Sequence, residues 1–218
     1  QKLKELPWGF AESYISKNKF KYYDNKGVNH ITMENLTRDD RIKLNRIFYN
    51  NYMFTDVLED SVKKIKNDFP VNLGLIPGLH IRTIQHHAQI DGHMSFEEYI
   101  QTYINQLGSE DKTIYVASHL QRPIDYLRDL GYCVMCSNQE RSNDINDDWT
   151  EHYKEVSKEY SEVLVDTLLL SSCKRIIGGR SNVLFAASWL NPNVEIKLLD
   201  FNNSENTENK GYGIGGIR

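Results

Sequence analysis

The sequence predicts an α/β fold: a doubly wound, parallel, Rossmann-like sheet with a reduced, mostly helical part in front of it. Three observations carry this. From residue 71 onward, short apolar runs alternate with segments of helical period, the signature of βαβ units on a parallel sheet. The helical segments open on Thr or Ser and several close near Gly, as capping chemistry requires. The chain has 218 residues and no internal repeat, enough for one sizeable core with an appendage.

Residues 1–36 carry Trp8, Phe10, Tyr14, Phe20, Tyr22 and Tyr23 without a clean period and read as irregular or short elements. Thr37-Arg-Asp-Asp40 resembles a capping box, and Ile42, Leu44, Ile47 and Phe48 follow at helical spacing, which predicts a helix over 38–50. Thr55 caps a second helix with Val57, Leu58, Val62 and Ile65 on one face and Glu59, Asp60, Lys63, Lys64 and Lys66 toward water, ended before Pro70. Val71 to Arg82 is the first strand. Ser95 caps a helix whose Phe96, Tyr99, Ile100, Tyr103, Ile104 and Leu107 form an i, i+3, i+4 stripe up to Gly108. Thr113 to Ser118 is the second strand, 122–130 a helix closed by Gly131, and Tyr132 to Ser137 the third strand, followed by a polar loop through Asp148. A long helix from Glu151 to Ser172, a strand Arg175 to Gly178, a helix from Ser181 through Trp189 and a strand Glu195 to Asp200 complete the sheet. This divides the chain into an N-terminal part (1–70), a Rossmann-like domain (71–201) and an Asn-, Gly- and Glu-rich tail (202–218) that is expected to be flexible in part.

The 26 basic and 30 acidic residues, net charge -4, are interspersed, so no face carries the field that nucleic acid requires. No apolar run reaches the roughly 20 residues that span a bilayer. Cys133, Cys136 and Cys173 are too few for a disulfide framework and read as buried fillers in a reducing compartment. Cys133 and Cys136 form a C-x-x-C inside an apolar run, without the helix N-terminus that would activate a thiol or the second ligand pair of a zinc site. A cytoplasmic or viral-type soluble enzyme fits these properties, as does a lumenal one released from an anchor. Asn35-Leu-Thr37 and Asn202-Asn-Ser204 match the glycosylation triplet, a match too common to choose between them.

On such sheets ligands sit beyond the carboxyl ends of the strands, which directs attention to four loops: His80 to Asp91, Ser118 to Arg122, Ser137 to Asp148 and Gly178 to Asn182. Leu79-His-Ile-Arg-Thr83 ends the first strand with alternating side chains, aiming His80 and Arg82 to one side. Arg82 suits a diphosphate whose charge grows as it leaves, or else pairs with a structural carboxylate. Gly178-Gly-Arg-Ser-Asn182 is a strand-to-helix turn of phosphate-binding shape, or else ordinary cap chemistry. Asp91, in the loop after Arg82, suits a general base for an acceptor hydroxyl, although Asp91-Gly92 also reads as a plain turn. His86, His87 and His93 share that loop and are placed to meet substrate, or a metal were other ligands to complete a site.

The stretch from His80-Ile-Arg82 to Glu97-Glu-Tyr99 resembles the first motif of the fucosyltransferases that include the α1,6-fucosyltransferases and the nodulation fucosyltransferase. Thr113-Ile-Tyr-Val-Ala-Ser-His119 is similar to that family's strand ending in Ala-Thr-Asp. Asp166-Thr-Leu-Leu-Leu-Ser-Ser-Cys173 with Ile176-Ile-Gly-Gly-Arg-Ser-Asn182 is similar to its aspartate, apolar helix, strand and Ser-Ser turn. The three occur in the family's order and cover about residues 70–200. The resemblance implies a GT-B fold and metal-independent, inverting transfer of a sugar from a nucleotide sugar to a glycan hydroxyl. It places His80 and Arg82 on the donor, with Arg82 on the β-phosphate. Ser118, His119, Asp166, Arg180, Ser181 and Asn182 then fall in the nucleotide pocket. The family's base aligns with Ile90, one residue before Asp91, and Ser118-His119 stands where the family has Thr-Asp. The expected donor is GDP-fucose, with UDP-xylose as the alternative; no cofactor or metal is expected. A silent nucleotide- or glycan-binding module is the competing class, separated from an enzyme by binding without turnover.

Overall fold

The computed structural model describes residues 21–24, 27–30, 36–82, 95–143 and 156–199, with the backbone alone at 21–24, 27–30 and 156–161. In chain order its elements are β1 (Lys21–Asp24), β2 (Gly27–His30), α1 (Arg38–Asn51), α2 (Asp56–Asp68), a 3-10 turn (Leu73–Leu75), β3 (Pro77–His80), α3 (Phe96–Ile104) and β4 (Thr113–Ala117). There follow α4 (Arg122–Asp129), β5 (Cys133–Met135), α5 (Val156–Ser171), β6 (Arg175–Gly178), α6 (Asn182–Leu190) and β7 (Glu195–Leu198). β1 and β2 pair antiparallel. The other five strands form one all-parallel sheet in the order β5-β4-β3-β6-β7. The chain builds outward from β3 to one edge, crosses back to β6 and builds outward again. That is the strand order of a doubly wound, Rossmann-like sheet, with its reversal between β3 and β6.

Both faces of the sheet are covered, as parallel strands require. On one face Tyr99, Ile100 and Tyr103 of α3 and Ile124 and Leu127 of α4 pack on Leu79, Ile114, Val116 and Ile177. On the other, Leu169 and Leu170 of α5, Leu184 and Ala187 of α6 and Val62 of α2 pack on Tyr115, Ala117 and Ile176. Adjacent residues of β4 and β6 thus face opposite layers, and each large aliphatic side chain removed from water contributes about 1.5–3 kcal/mol. α1 lies outside α6, with Leu44 and Phe48 against Phe185 and Trp189 and the Phe48 and Trp189 rings 4.9 Å apart. Its polar side chains close the far end of α6. Asn45 Nδ2 donates to the carbonyls of Trp189 and Leu190, both at 3.0 Å, and Arg41 donates to the Val194 carbonyl at 2.7 Å.

The predicted caps form. Thr37 with Asp40 and Ser95 with Glu98 make reciprocal capping boxes, and Thr55 and Ser181 accept from the third residue of their helices. The Ser95 bonds hold the exposed Glu98 carboxyl below its ordinary pKa. Gly131 closes α4 at φ +88°, a conformation that favours glycine.

Some local expectations are corrected. The first strand does not run from Val71 to Arg82. The Asn72 side chain accepts the Gly74 amide at 2.8 Å and starts a 3-10 turn, local bonding that competes with strand pairing, and β3 is confined to Pro77–His80. Val57 is 78% exposed, and the inward stripe of α2 is Leu58, Val62 and Ile65, continued by Phe69. Cys133 is exposed on the edge strand β5 and only Cys173 is buried. The stretch read as irregular or short contains the β1–β2 hairpin.

At the amino end of the sheet Arg175, opening β6, is ion-paired with Asp111, just before β4. Asp111 also accepts the Gly108 amide at 2.6 Å, and both partners are largely buried.

Gly78 sets how closely α5 approaches the sheet. A Cβ there would lie 2.8 Å from Cys173 Sγ and 3.0 Å from Leu170 Cδ2. Gly78→Ala is expected to destabilise by about 1–3 kcal/mol through overpacking. In a denaturation double-mutant cycle, Cys173→Ala should restore part of that loss. Strict additivity would show that the helix moves aside without cost.

Candidate functional site

β3 and β6 lie side by side with His80 opposite Gly178, the last paired residue of each. Beyond this pair the chain leads to α3 on one face and to α6 on the other. In open α/β sheets such a divergence forms the crevice at the carboxyl edge where ligands bind.

His80 and Ser181, 101 residues apart, meet there. His80 Nδ1 lies 3.0 Å from Ser181 Oγ, and that oxygen also accepts the Leu184 amide at 3.0 Å, capping α6. The Ser181 hydroxyl thus joins the His80 ring to the N-terminus of α6. Gly178 makes the approach possible, since a Cβ there would stand 3.1 Å from the His80 carbonyl oxygen and 3.3 Å from the His80 Cβ. Two arginines stand at the exits: half-buried Arg82, two residues beyond β3, and exposed Arg180, two residues beyond β6. Together with the positive end of the α6 dipole they favour an anion at this edge.

Sequence reasoning missed two residues that build this exit. Tyr99 and Tyr103, counted only as part of the α3 stripe, are almost wholly buried with their hydroxyls 3.0 Å apart. The Tyr99 hydroxyl donates to the Arg82 carbonyl at 3.0 Å and the Tyr103 hydroxyl to the His80 carbonyl at 3.2 Å. Tyr103 is also hydrogen-bonded to the Gly179 backbone, so α3 ties both strand exits together from below. Burial raises both phenol pKa values, while the Arg82 charge pulls each back down. The available signal was the residue type, because a buried tyrosine hydroxyl needs a partner.

A second polar network lies beside the crevice, under the loops that leave β4 and β5. Asp166 of α5 is 5% exposed. Its Oδ1 accepts from the Tyr115 and Ser137 hydroxyls, both at 2.6 Å, and its Oδ2 accepts from Gln139 Nε2 at 2.8 Å. Gln139 Nε2 also donates to the Ser118 carbonyl at 3.1 Å. Arg141 donates to the carbonyls of Ser118, Gln139 and Ser137 at 3.1, 3.1 and 2.8 Å. The Ser118 hydroxyl accepts the Leu120 amide at 3.2 Å. The His119 carbonyl accepts the Ser142 amide and the Ser142 carbonyl accepts the Gln121 amide, both at 2.9 Å.

Burial raises the Asp166 carboxyl pKa above its ordinary value, against the pull of Ser137, Tyr115, the Arg141 charge and Gln139. The native state therefore holds this proton more tightly than the unfolded chain does. Its contribution to stability is expected to be most favourable in acid and to decline as pH rises from the ordinary carboxylate range through the raised value. Subtracting Asp166→Asn denaturant midpoints from wild-type ones across pH 4 to 8 isolates that decline; a difference rising with pH would refute the sign.

The structure thus brings His80, Arg82, Arg180, Ser181 and Asn182 to one edge, with Ser118 and His119 on the adjoining strand exit. Asp166 stands apart, both oxygens held by protein donors. Asp91, His86, His87 and His93 lie outside the described residues. Among the described residues no group of His, Cys, Asp and Glu side chains is arranged to hold a metal ion, and no helix is long and apolar enough to cross a membrane. No protein-family model matches the sequence, and no curated protein matches it significantly.

Proposed function

We propose that this protein is a glycosyltransferase that holds a nucleotide-activated sugar at the reversal between β3 and β6 and passes the sugar to a glycan hydroxyl. One observation supports the reading above the others: segments far apart in sequence, each resembling a fucosyltransferase motif, converge on one carboxyl edge. In this reading the diphosphate lies at the α6 N-terminus between Arg82 and the Gly178–Asn182 turn, and Arg82 steadies its charge as it leaves. His80 contacts the donor through a ring oriented by Ser181. Asp91 takes the acceptor's proton, and no metal takes part. The donor is GDP-fucose, on a GT-B arrangement whose acceptor side involves residues 1–70; UDP-xylose is the alternative donor.

A thermal-shift and calorimetry panel of GDP, UDP, GDP-fucose and UDP-xylose in EDTA tests this. A ligand at about 100 times its Kd adds about 2.7 kcal/mol to the folded state. Preference for guanosine ligands supports fucosyl transfer, preference for uridine ligands moves the reading to another sugar, and no binding overturns it. Asp91→Asn is then expected to leave donor affinity nearly intact while slowing transfer by about 10²–10⁴-fold. An unchanged rate removes Asp91 from the mechanism. Donor binding without turnover in the wild-type protein favours a silent binding module.

A further inference from the structure

We propose that Asp166 is a positioning residue: it shapes the nucleoside end of the crevice by fixing the Ser118–Gln121 loop, and does not itself touch the nucleotide. The proposal rests on the nucleotide reading above and differs from what the fucosyltransferase resemblance implies for this residue. It starts from the use of the carboxylate. Tyr115 and Ser137 hold one oxygen and Gln139 the other, in a side chain that is 5% exposed. Three protein donors occupy the carboxylate, and a residue so nearly closed to solvent offers a ligand group little access.

What the carboxylate does instead follows from the chain of bonds. Gln139 Nε2 has two hydrogens, one directed to Asp166 Oδ2 and one to the Ser118 carbonyl. Asp166 therefore fixes the orientation of the Gln139 amide, and the amide fixes Ser118. Arg141 joins the two loops through three carbonyls, and the parallel bridge between Leu120 and Ser142 completes the join. Ser118 directly follows Ala117, the residue of β4 paired with His80. Movement of the loop is movement of the crevice wall beside His80. In doubly wound sheets the exit of the strand next to the first is where the nucleoside is met, and here that exit is Ser118-His119.

Asp166→Asn separates positioning from folding. The Asn carbonyl oxygen keeps the Tyr115 and Ser137 bonds, while its NH₂ group meets the NH₂ of Gln139. Turning the Gln139 amide over to relieve this would set its oxygen against the Ser118 carbonyl. The route from residue 166 through Gln139 to Ser118 is then broken with the core intact, while the Arg141 bond to the same carbonyl remains. Val62→Ala, in the core at α2, serves as the control for general destabilisation.

Hydrogen exchange is expected to quicken by about tenfold at the Leu120, Gln121 and Ser142 amides in Asp166→Asn, with the amides of β6 unchanged. Affinity for the preferred nucleotide of the GDP and UDP pair should weaken by about tenfold, and KM for its sugar derivative should rise with kcat held within about threefold, because misplacement of a binding wall costs binding before chemistry. Val62→Ala should produce neither effect. Three outcomes overturn the positioning role alone: affinity unchanged although the loop loosens, affinity lost with loop exchange unchanged, which is the mark of direct contact, or exchange quickened uniformly. A wild-type protein that binds neither GDP nor UDP overturns the nucleotide reading itself.

Discussion

On the proposed glycosyltransferase reading, Arg82→Ala is expected to lower kcat for sugar transfer by about 10²–10³-fold, the loss usual when one preorganised donor to developing charge is removed. The Arg82 carbonyl bonded to the Tyr99 hydroxyl survives the substitution, so that contact between the β3 exit and α3 is retained. Ground-state donor affinity should fall less than kcat, since the diphosphate gains charge only as the sugar departs. Arg82→Lys keeps the charge and loses the fork of donors, so its rate should lie between wild type and alanine. Single-turnover kinetics with melting curves check all three. A full-rate Arg82→Ala enzyme would leave Arg82 without a role in departure, and an unfolded one would make its side chain structural.

The largest stability effect is expected at the opposite end of the sheet. Asp111→Ala leaves Arg175 charged, largely buried and unpaired and frees the Gly108 amide; removing one partner of a buried pair costs about 3–5 kcal/mol. For a domain of this size the melting temperature should fall by about 10 °C. The double variant Asp111→Leu with Arg175→Met should recover most of the loss, because two apolar groups need no counter-charge. Little change in Asp111→Ala by calorimetry would show that water reaches Arg175 and that the pair is in effect exposed.

What was legible in the sequence was local. The Thr37–Asp40 box, the Ser95 and Thr55 caps, the Gly131 stop and β6 at Arg175–Gly178 are set by chemistry within a few residues, and each appears where expected. The His80–Ser181 contact was legible only as two loops that a parallel sheet would bring to one edge; their meeting depends on the return of the chain from β5 across β3 to β6. Gln139 and Arg141 were marked only as members of the Ser137 to Asp148 loop. They lie in a polar loop without period, and what makes them important is the carbonyls they meet. Asp166 was noticed for a resemblance, yet its three protein donors come from β4 and from beyond β5, which no spacing within α5 reveals. The start of β3 was misjudged because Asn72 captures the Gly74 amide, a choice between two local bonds that an apolar run conceals.

The way α1 closes α6 bears on how the protein can be cut. Asn45 and Arg41 satisfy the carbonyls of Trp189, Leu190 and Val194, while Leu44 and Phe48 roof Phe185 and Trp189. A fragment begun at Val71 would carry the whole parallel sheet and its crevice, yet bare an aromatic face on α6 and leave that helix with an open last turn. Such a fragment is expected to aggregate where one begun at Leu36 stays dispersed. The smallest unit expected to be handled by itself therefore includes a helix remote from the carboxyl edge of the sheet.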